Sequence, residues 1–292
     1  MNWLNTIIIV LIVIVALSII FYFVQDKLIF KPEKLPDDFV FQYKNQEVKE
    51  YKVELKDNVV INGLHFKSKD AKGVVFYLKG NSRSIKGWGK FAVDFTNHHW
   101  DVIMIDYRGF GKSTGKRTQQ TMKDDVLAIY DRIKNKVPEK NIIVYGRSLG
   151  TGLATKVASV NNPRMLILAC PYYSMSNNIQ RFLPFIPLGL VMRYSMPTYK
   201  WIKYVKCPIK IIHGTNDRMI PMKSSIRLSK INSSLTRMYP IIGGGHKNLH
   251  NFEGYHRALK EILKSKPFKK IDSKKTSLGF IRSKRKPTEH NV

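Results

Sequence analysis

The sequence predicts an α/β fold, a mostly parallel central sheet with helices on both faces, preceded by one N-terminal transmembrane helix. Three observations predict it. Short runs that are apolar on both faces (73–78, 102–105 and 165–169) recur between longer helix-compatible stretches, as strands buried in a parallel sheet do. The run 141–144 leads through Tyr145-Gly146-Arg147-Ser148-Leu149-Gly150 into the helix-compatible 153–160, so strand, sharp turn and helix follow one another. Finally, residues 3–24 carry no charged side chain, and 22 residues of helix span roughly 33 Å, enough to cross a bilayer core.

In chain order, residues 3–24 form the expected membrane anchor. A cleaved leader would carry basic residues before the apolar run and a small-residue cleavage site after it, and Met1-Asn2 has neither Lys nor Arg. Lys27, Lys31 and Lys34 follow the span and no basic residue precedes it, which by the positive-inside rule puts the rest of the chain in the cytoplasm. Residues 25–50 read as a juxtamembrane linker. The globular domain is expected over 51–264 and opens with a hairpin, 51–55 and 61–66, turning at Asp57-Asn58. After the buried strand 73–78 come a loop at 80–87, a helix over 88–96 and the strand 102–105.

Residues 118–135 place Met122, Val126, Ile129, Tyr130 and Ile133 at spacings of three and four, the core-facing stripe of an amphipathic helix. Between the strand 165–169 and the next, which starts near Cys207, lies 171–206, rich in Tyr and Phe and broken by Pro184, Pro187 and Gly189; it reads as a lid. Strands at 207–213 and 237–242 and a helix at 252–264 complete the domain. From 265 to 292 a run of Lys and Arg faces only Asp272 and Glu289, with few apolar residues to bury, and reads as a mobile basic tail.

The chemistry is carried by the turn after 141–144. Gly146-Arg147-Ser148-Leu149-Gly150 fits G-x-S-x-G, in which flanking glycines let the chain turn so tightly that a serine hydroxyl stands clear of the sheet. Ser148 is the candidate nucleophile, and the backbone N–H of Leu149, in the first turn of the following helix, a candidate oxyanion donor. A serine needs a base and the base an orienting acid. Asp217 stands just past the strand at 207–213, and His246 follows the glycines 243–245 just past the strand at 237–242. The order Ser, Asp, His makes Asp217 the candidate orienting acid and His246 the candidate general base.

With those motifs the chain resembles the membrane-anchored α/β-hydrolase domain-containing serine hydrolases over residues 51–264. The resemblance rests on Gly80-Asn81-Ser82, on 106–113, on the elbow around Ser148, on His213-Gly214-Thr215-Asn216-Asp217, and on Gly243-Gly244-Gly245-His246. It implies an α/β-hydrolase fold and a second oxyanion donor at the backbone N–H of Asn81 or a neighbour. One departure is visible: such proteins usually carry His-Gly where this chain has Lys79-Gly80.

Composition narrows the partners. Lys and Arg exceed Asp and Glu by 50 to 21, a net charge of +29, spread along the chain; this favours an anionic lipid surface, and no nucleic-acid-recognition motif accompanies it. The two cysteines, Cys170 and Cys207, make neither a disulfide framework nor a metal cluster, so neither a metal nor a cofactor is expected. Gly111-Lys112-Ser113 is no phosphate loop, because Asp106 stands where its first glycine is required. Asp106 and Arg108 are expected to brace loops, and His213 to pack behind the site. The leading functional expectation is a serine hydrolase of esters or thioesters of membrane lipid or acylated substrates. A serine peptidase is the alternative within catalysis, and a non-catalytic membrane-tethered binding protein the alternative outside it.

Overall fold

The computed structural model describes residues 2–264, so the expected basic tail, 265–292, lies outside the described residues. Eight strands form one sheet in the order β1-β2-β4-β3-β5-β6-β7-β8. They are β1 (Glu47–Glu54), β2 (Val60–Lys67), β3 (Val74–Leu78), β4 (Asp101–Ile105), β5 (Ile142–Arg147), β6 (Met165–Ala169), β7 (Ile209–Gly214) and β8 (Thr236–Ile241). β2 runs antiparallel to both its neighbours and every pairing from β4 to β8 is parallel.

Strand alternation divides the core. Val74, Phe76 and Leu78 face one layer, which holds α2 (Gln119–Lys134) and α3 (Leu149–Val160). Val75 and Tyr77 face the other, with the segment around Ile85 to Phe95 and the last helix, Glu253–Leu263. The expected stripe Met122, Val126, Ile129, Tyr130 and Ile133 is buried along α2, whose N-cap Thr118 takes a hydrogen bond from the Thr121 N–H. Strand order reverses at β3 and β5, which pair with each other while their chains depart to opposite sides. The loops after these two strands therefore diverge and open a crevice at their carboxyl ends.

Four local readings change. The helix expected over 88–96 is two short helices, Ile85–Trp88 and Val93–Thr96, because Gly89 lies against the Tyr43 ring and the chain tightens to 3₁₀ geometry there. The hairpin strand begins at Glu47 instead of Tyr51. A helix at Lys223–Ile231, too short and sparsely apolar to signal itself, joins β7 to β8.

The fourth concerns the segment expected to be a linker. The apolar helix, α1, does not stop at Val24 but runs Trp3–Ile29, 27 residues. It is the one helix among the described residues long and apolar enough to cross a membrane. Its last turns are fastened to the domain: Asp26 accepts from Arg117 and from the Tyr194 hydroxyl, and the Ile29 carbonyl accepts from the Asn81 side chain. Beyond it, Lys31 bridges to Ser82 and Lys34 to Gly111, so the chain after the helix is laid onto the domain.

Candidate active site

Ser148 closes β5 and precedes α3 with φ 52° and ψ −119°, a conformation costly for a residue with a Cβ. The surroundings impose it. A Cβ on Gly150 would stand 2.0 Å from the Leu78 carbonyl oxygen, so only glycine lets α3 start this close to β3. The hydroxyl is thereby held above the sheet beside Gly80, whose own added Cβ would be 3.7 Å from that of Ser148. Leu149 is the first residue of α3, so its N–H has no partner within the helix and is free to face an oxyanion.

The structure brings the three residues singled out for catalysis together. His246 Nε2 lies 2.9 Å from Ser148 Oγ, and His246 Nδ1 lies 2.7 Å from Asp217 Oδ2. With Nδ1 donating to the carboxylate, Nε2 is left to accept the serine proton. Asp217 follows β7 and His246 follows β8, both at carboxyl ends of adjacent strands. Burial alone would raise the Asp217 carboxyl, yet hydrogen bonds from His213 and His246 and from the Ile220 N–H outweigh it and hold the group well below the usual carboxylate range. His213, expected to pack behind the site, is fully buried there. Its Nε2 lies 2.8 Å from the Ile220 carbonyl and 3.3 Å from Asp217 Oδ2, while its Nδ1 pairs with Ser225 Oγ at 2.6 Å.

Asn81, the other expected oxyanion residue, lines the same space as Ser148, and its side chain is engaged elsewhere: Nδ2 donates to the Ile29 carbonyl at 2.6 Å. Only its backbone is therefore open to the oxyanion role. Lys79, which replaces the usual histidine, points away into the core. Its ammonium sits 3.5 Å from Asp106 Oδ1 and 3.8 Å from the centre of the Phe110 ring, and donates to the Arg83 carbonyl at 3.0 Å. Burial pushes the Lys79 ammonium down and the Asp106 carboxyl up, and each charge partly restores the other. The loop bearing Gly80 and Asn81 is thus fastened from beneath. Asp106 also accepts from the Ile85 N–H, and Arg108 makes a two-pronged bond to Asp125, so both act as braces.

Three contributors escaped the sequence reading. Arg147, the variable residue before the serine, is buried against the Phe91 and Trp88 rings and reaches the carbonyls of His246 and Lys247 at 3.5 Å, tying the elbow to the histidine loop. Tyr172 donates to the Leu149 carbonyl at 3.0 Å. Cys170 places its thiol within 4.8 Å of the His246 and Asp217 ligand atoms. A metal shared by those three would have to draw His246 away from its present partners. Burial, reinforced by the Asp217 charge, pushes the thiol up and keeps it protonated.

Two cavities meet at Ser148, with Asn81 and Met219 shared between them. One, about 340 Å³, is walled mainly by apolar residues of the 171–206 segment and of α1. The other, about 360 Å³, has Arg83, Lys90, Arg147 and Lys247 in its lining and no carboxylate.

Residues 69–201 match the family described as serine aminopeptidase, S33. The chain is 25% identical over 227 residues to the lysophosphatidylserine lipase ABHD12 of Danio rerio, covering 66% of this chain and 58% of that protein. It is 27% identical over 183 residues to protein ABHD12B of Homo sapiens, covering 56% and 51% respectively. The chain thus spans little more than half the length of these relatives. Among solved structures, the Pyrococcus furiosus esterase Pf2001 superimposes with a TM-score of 0.64 at 19% identity, covering 81% of this chain and 97% of the esterase. The thioesterase domain from the curacin biosynthetic pathway does so with a TM-score of 0.56 at 14% identity, covering 75% and 100%.

Proposed function

From the premise that the chain is an α/β-hydrolase resembling the ABHD proteins, we propose that it is a membrane-anchored serine hydrolase of monoacyl lipid esters whose leaving group is anionic. The observation that carries this reading is the position of Ser148 between an apolar cavity and a cationic one. An ester carbonyl at Ser148 would send its acyl chain into the first and its headgroup into the second. Apolar walls reward the chain by area, and four cations without a carboxylate favour an anion over a neutral or positive group. The ABHD12 relatives are named as lipases of lysophosphatidylserine, a substrate of this chemical class.

In this reading Ser148 Oγ attacks the ester carbonyl as its proton passes to His246 Nε2. The oxyanion is met by the Leu149 N–H and the N–H of Asn81. His246 then protonates the leaving alcohol, and water, activated by the same imidazole, releases the fatty acid from Ser148. Asp217 holds the tautomer and stabilises the imidazolium. A thioester would follow the same steps with a thiol leaving.

The family description favours a second reading, an aminopeptidase. Recognition of a peptide amino terminus calls for a carboxylate near the scissile bond, and the cationic cavity would repel an ammonium. The electrostatics therefore support the lipid ester. Lys27 in the last turn of α1, with Lys31 and Lys34 just beyond it, supports a cytoplasmic domain, for which resistance to protease added outside intact cells is the expected result. The activity is tested on purified full-length protein in neutral micelles with monoacyl esters of anionic and neutral headgroups, beside aminoacyl nitroanilides. Fatty-acid release that is lost in Ser148→Ala is expected. Cleavage of the anilides without ester turnover would select the peptidase.

A further inference from the structure

A tether needs only length and apolarity, yet the end of α1 carries features that a tether does not require. Phe21, Gln25 and Ile29 recur at four-residue spacing and are buried, so one face of the helix is seated on the domain. Phe21 packs with Ile186 and Leu188. Gln25 is fully buried and satisfied at both ends: Nε2 donates to the Val191 carbonyl at 3.0 Å, and Oε1 accepts from the Arg193 N–H at 2.8 Å. A buried primary amide tolerates little rotation, since turning the helix would strand its donors and acceptor in an apolar setting. The Arg117 and Tyr194 contacts to Asp26 and the Asn81 bond to the Ile29 carbonyl fix the same end. Rotation and depth of α1 are therefore set by the domain.

That fixed face borders the apolar cavity. Phe21, Leu28 and Ile29 line it together with Met175, Ile179 and Phe182, and the cavity ends at Ser148. The neighbouring stretch also leaves Phe182, Phe185 and Leu190 exposed by 62%, 78% and 86% on either side of Ile186 and Leu188, which hold Phe21. Such an apolar rim beside a membrane-spanning helix fits immersion in lipid.

We propose that α1 is a wall of the substrate site: the acyl chain bound to Ser148 lies against Phe21 and Leu28, between α1 and the 171–206 segment, and reaches the site from the bilayer. This rests on the reading of Ser148 as nucleophile toward lipid esters. Chain-length preference is then set in part by the anchor itself.

The test uses full-length protein in phosphatidylcholine vesicles and a long-chain alkyl fluorophosphonate bearing a terminal diazirine. Ser148 Oγ bonds to phosphorus as the P–F bond breaks, fluoride leaves and the serine proton passes to His246. Irradiation should then cross-link the chain terminus to α1 within residues 18–29. Labelled Ser148 with cross-links confined to the side of Trp88 and Phe91 would overturn the proposal and leave the nucleophile standing. Absence of any Ser148 adduct would overturn both. In parallel, Leu28→Trp should lower the ratio of kcat/KM for long-chain over short-chain p-nitrophenyl esters about tenfold, whereas Ile12→Trp, on an exposed part of the same helix, should leave that ratio unchanged. An unaltered ratio in Leu28→Trp would also overturn it.

Discussion

Asp217 meets His246 through one oxygen and the backbone through the other: Oδ2 lies 2.7 Å from His246 Nδ1, while Oδ1 accepts the N–H groups of Met219 at 2.9 Å and Ile220 at 2.8 Å. The carboxylate is therefore held in place independently of the imidazole it contacts. Asp217→Asn should lower kcat by about 10⁴, because an amide favours the wrong imidazole tautomer and cannot stabilise imidazolium. Steady-state kinetics on a soluble short-chain ester decides this, and near-normal kcat would remove Asp217 from the proposed mechanism.

The same carboxylate gives a pH signature in stability. Its folded-state pKa is depressed, so below the unfolded value of about 3.9 the unfolded chain binds the proton first and stability rises with pH across that window. The stability advantage of wild type over Asp217→Asn should thus be present at neutral pH and shrink progressively below about pH 4. Denaturant titrations of both proteins across that range check the sign; a gap that widens on acidification would contradict it.

Ser148 holds a positive φ without being glycine. Ser148→Gly should therefore abolish activity and yet stabilise the protein by about 1 kcal/mol, the relief of strain exceeding the added entropy of the unfolded chain. Thermal melts beside Ser148→Ala, which keeps the Cβ and so the strain, make the comparison. Equal melting temperatures would show that the elbow is unstrained.

Lys79 and Asp106 are both fully buried. Removing either charge alone, as in Lys79→Met or Asp106→Leu, should cost about 3–5 kcal/mol, because its partner is left as an uncompensated charge; the double substitution should recover most of that loss. Additive losses in the double variant would mean that the two do not act as a pair.

Which parts of this were legible beforehand follows from the range of the forces involved. Strands β3 to β7 announce themselves as local apolar runs, and the elbow glycines mark a tight turn by composition alone. The end of α1 was not legible: Asp26 and Lys27 look like the end of an apolar span, whereas Asp26 is held by Arg117 and Tyr194, 91 and 168 residues away. Lys79 read as a departure in the oxyanion loop because nothing nearby signals that Asp106 lies beneath it. Within 171–206 the aromatic residues indicated a lid, but its helices, Met175–Ile179, Leu188–Val191 and Thr198–Trp201, are a single turn or little more and carry no periodicity.

The cationic cavity predicts headgroup selectivity. Arg83→Glu/Lys90→Glu should lower kcat/KM for an anionic monoacyl ester about tenfold relative to a neutral one of the same chain, with the difference shrinking at high salt. Matched losses on both substrates would show that the cavity does not read charge.

The proposed chemistry depends on Ser148 acting as a nucleophile activated by His246. It is tested most directly by reacting the full-length protein with a fluorophosphonate and locating the adduct by peptide mass spectrometry. One adduct is expected, on Ser148, absent in Ser148→Ala and formed far more slowly in His246→Ala. An adduct on another residue of the wild-type protein, or labelling that persists in Ser148→Ala, would contradict it.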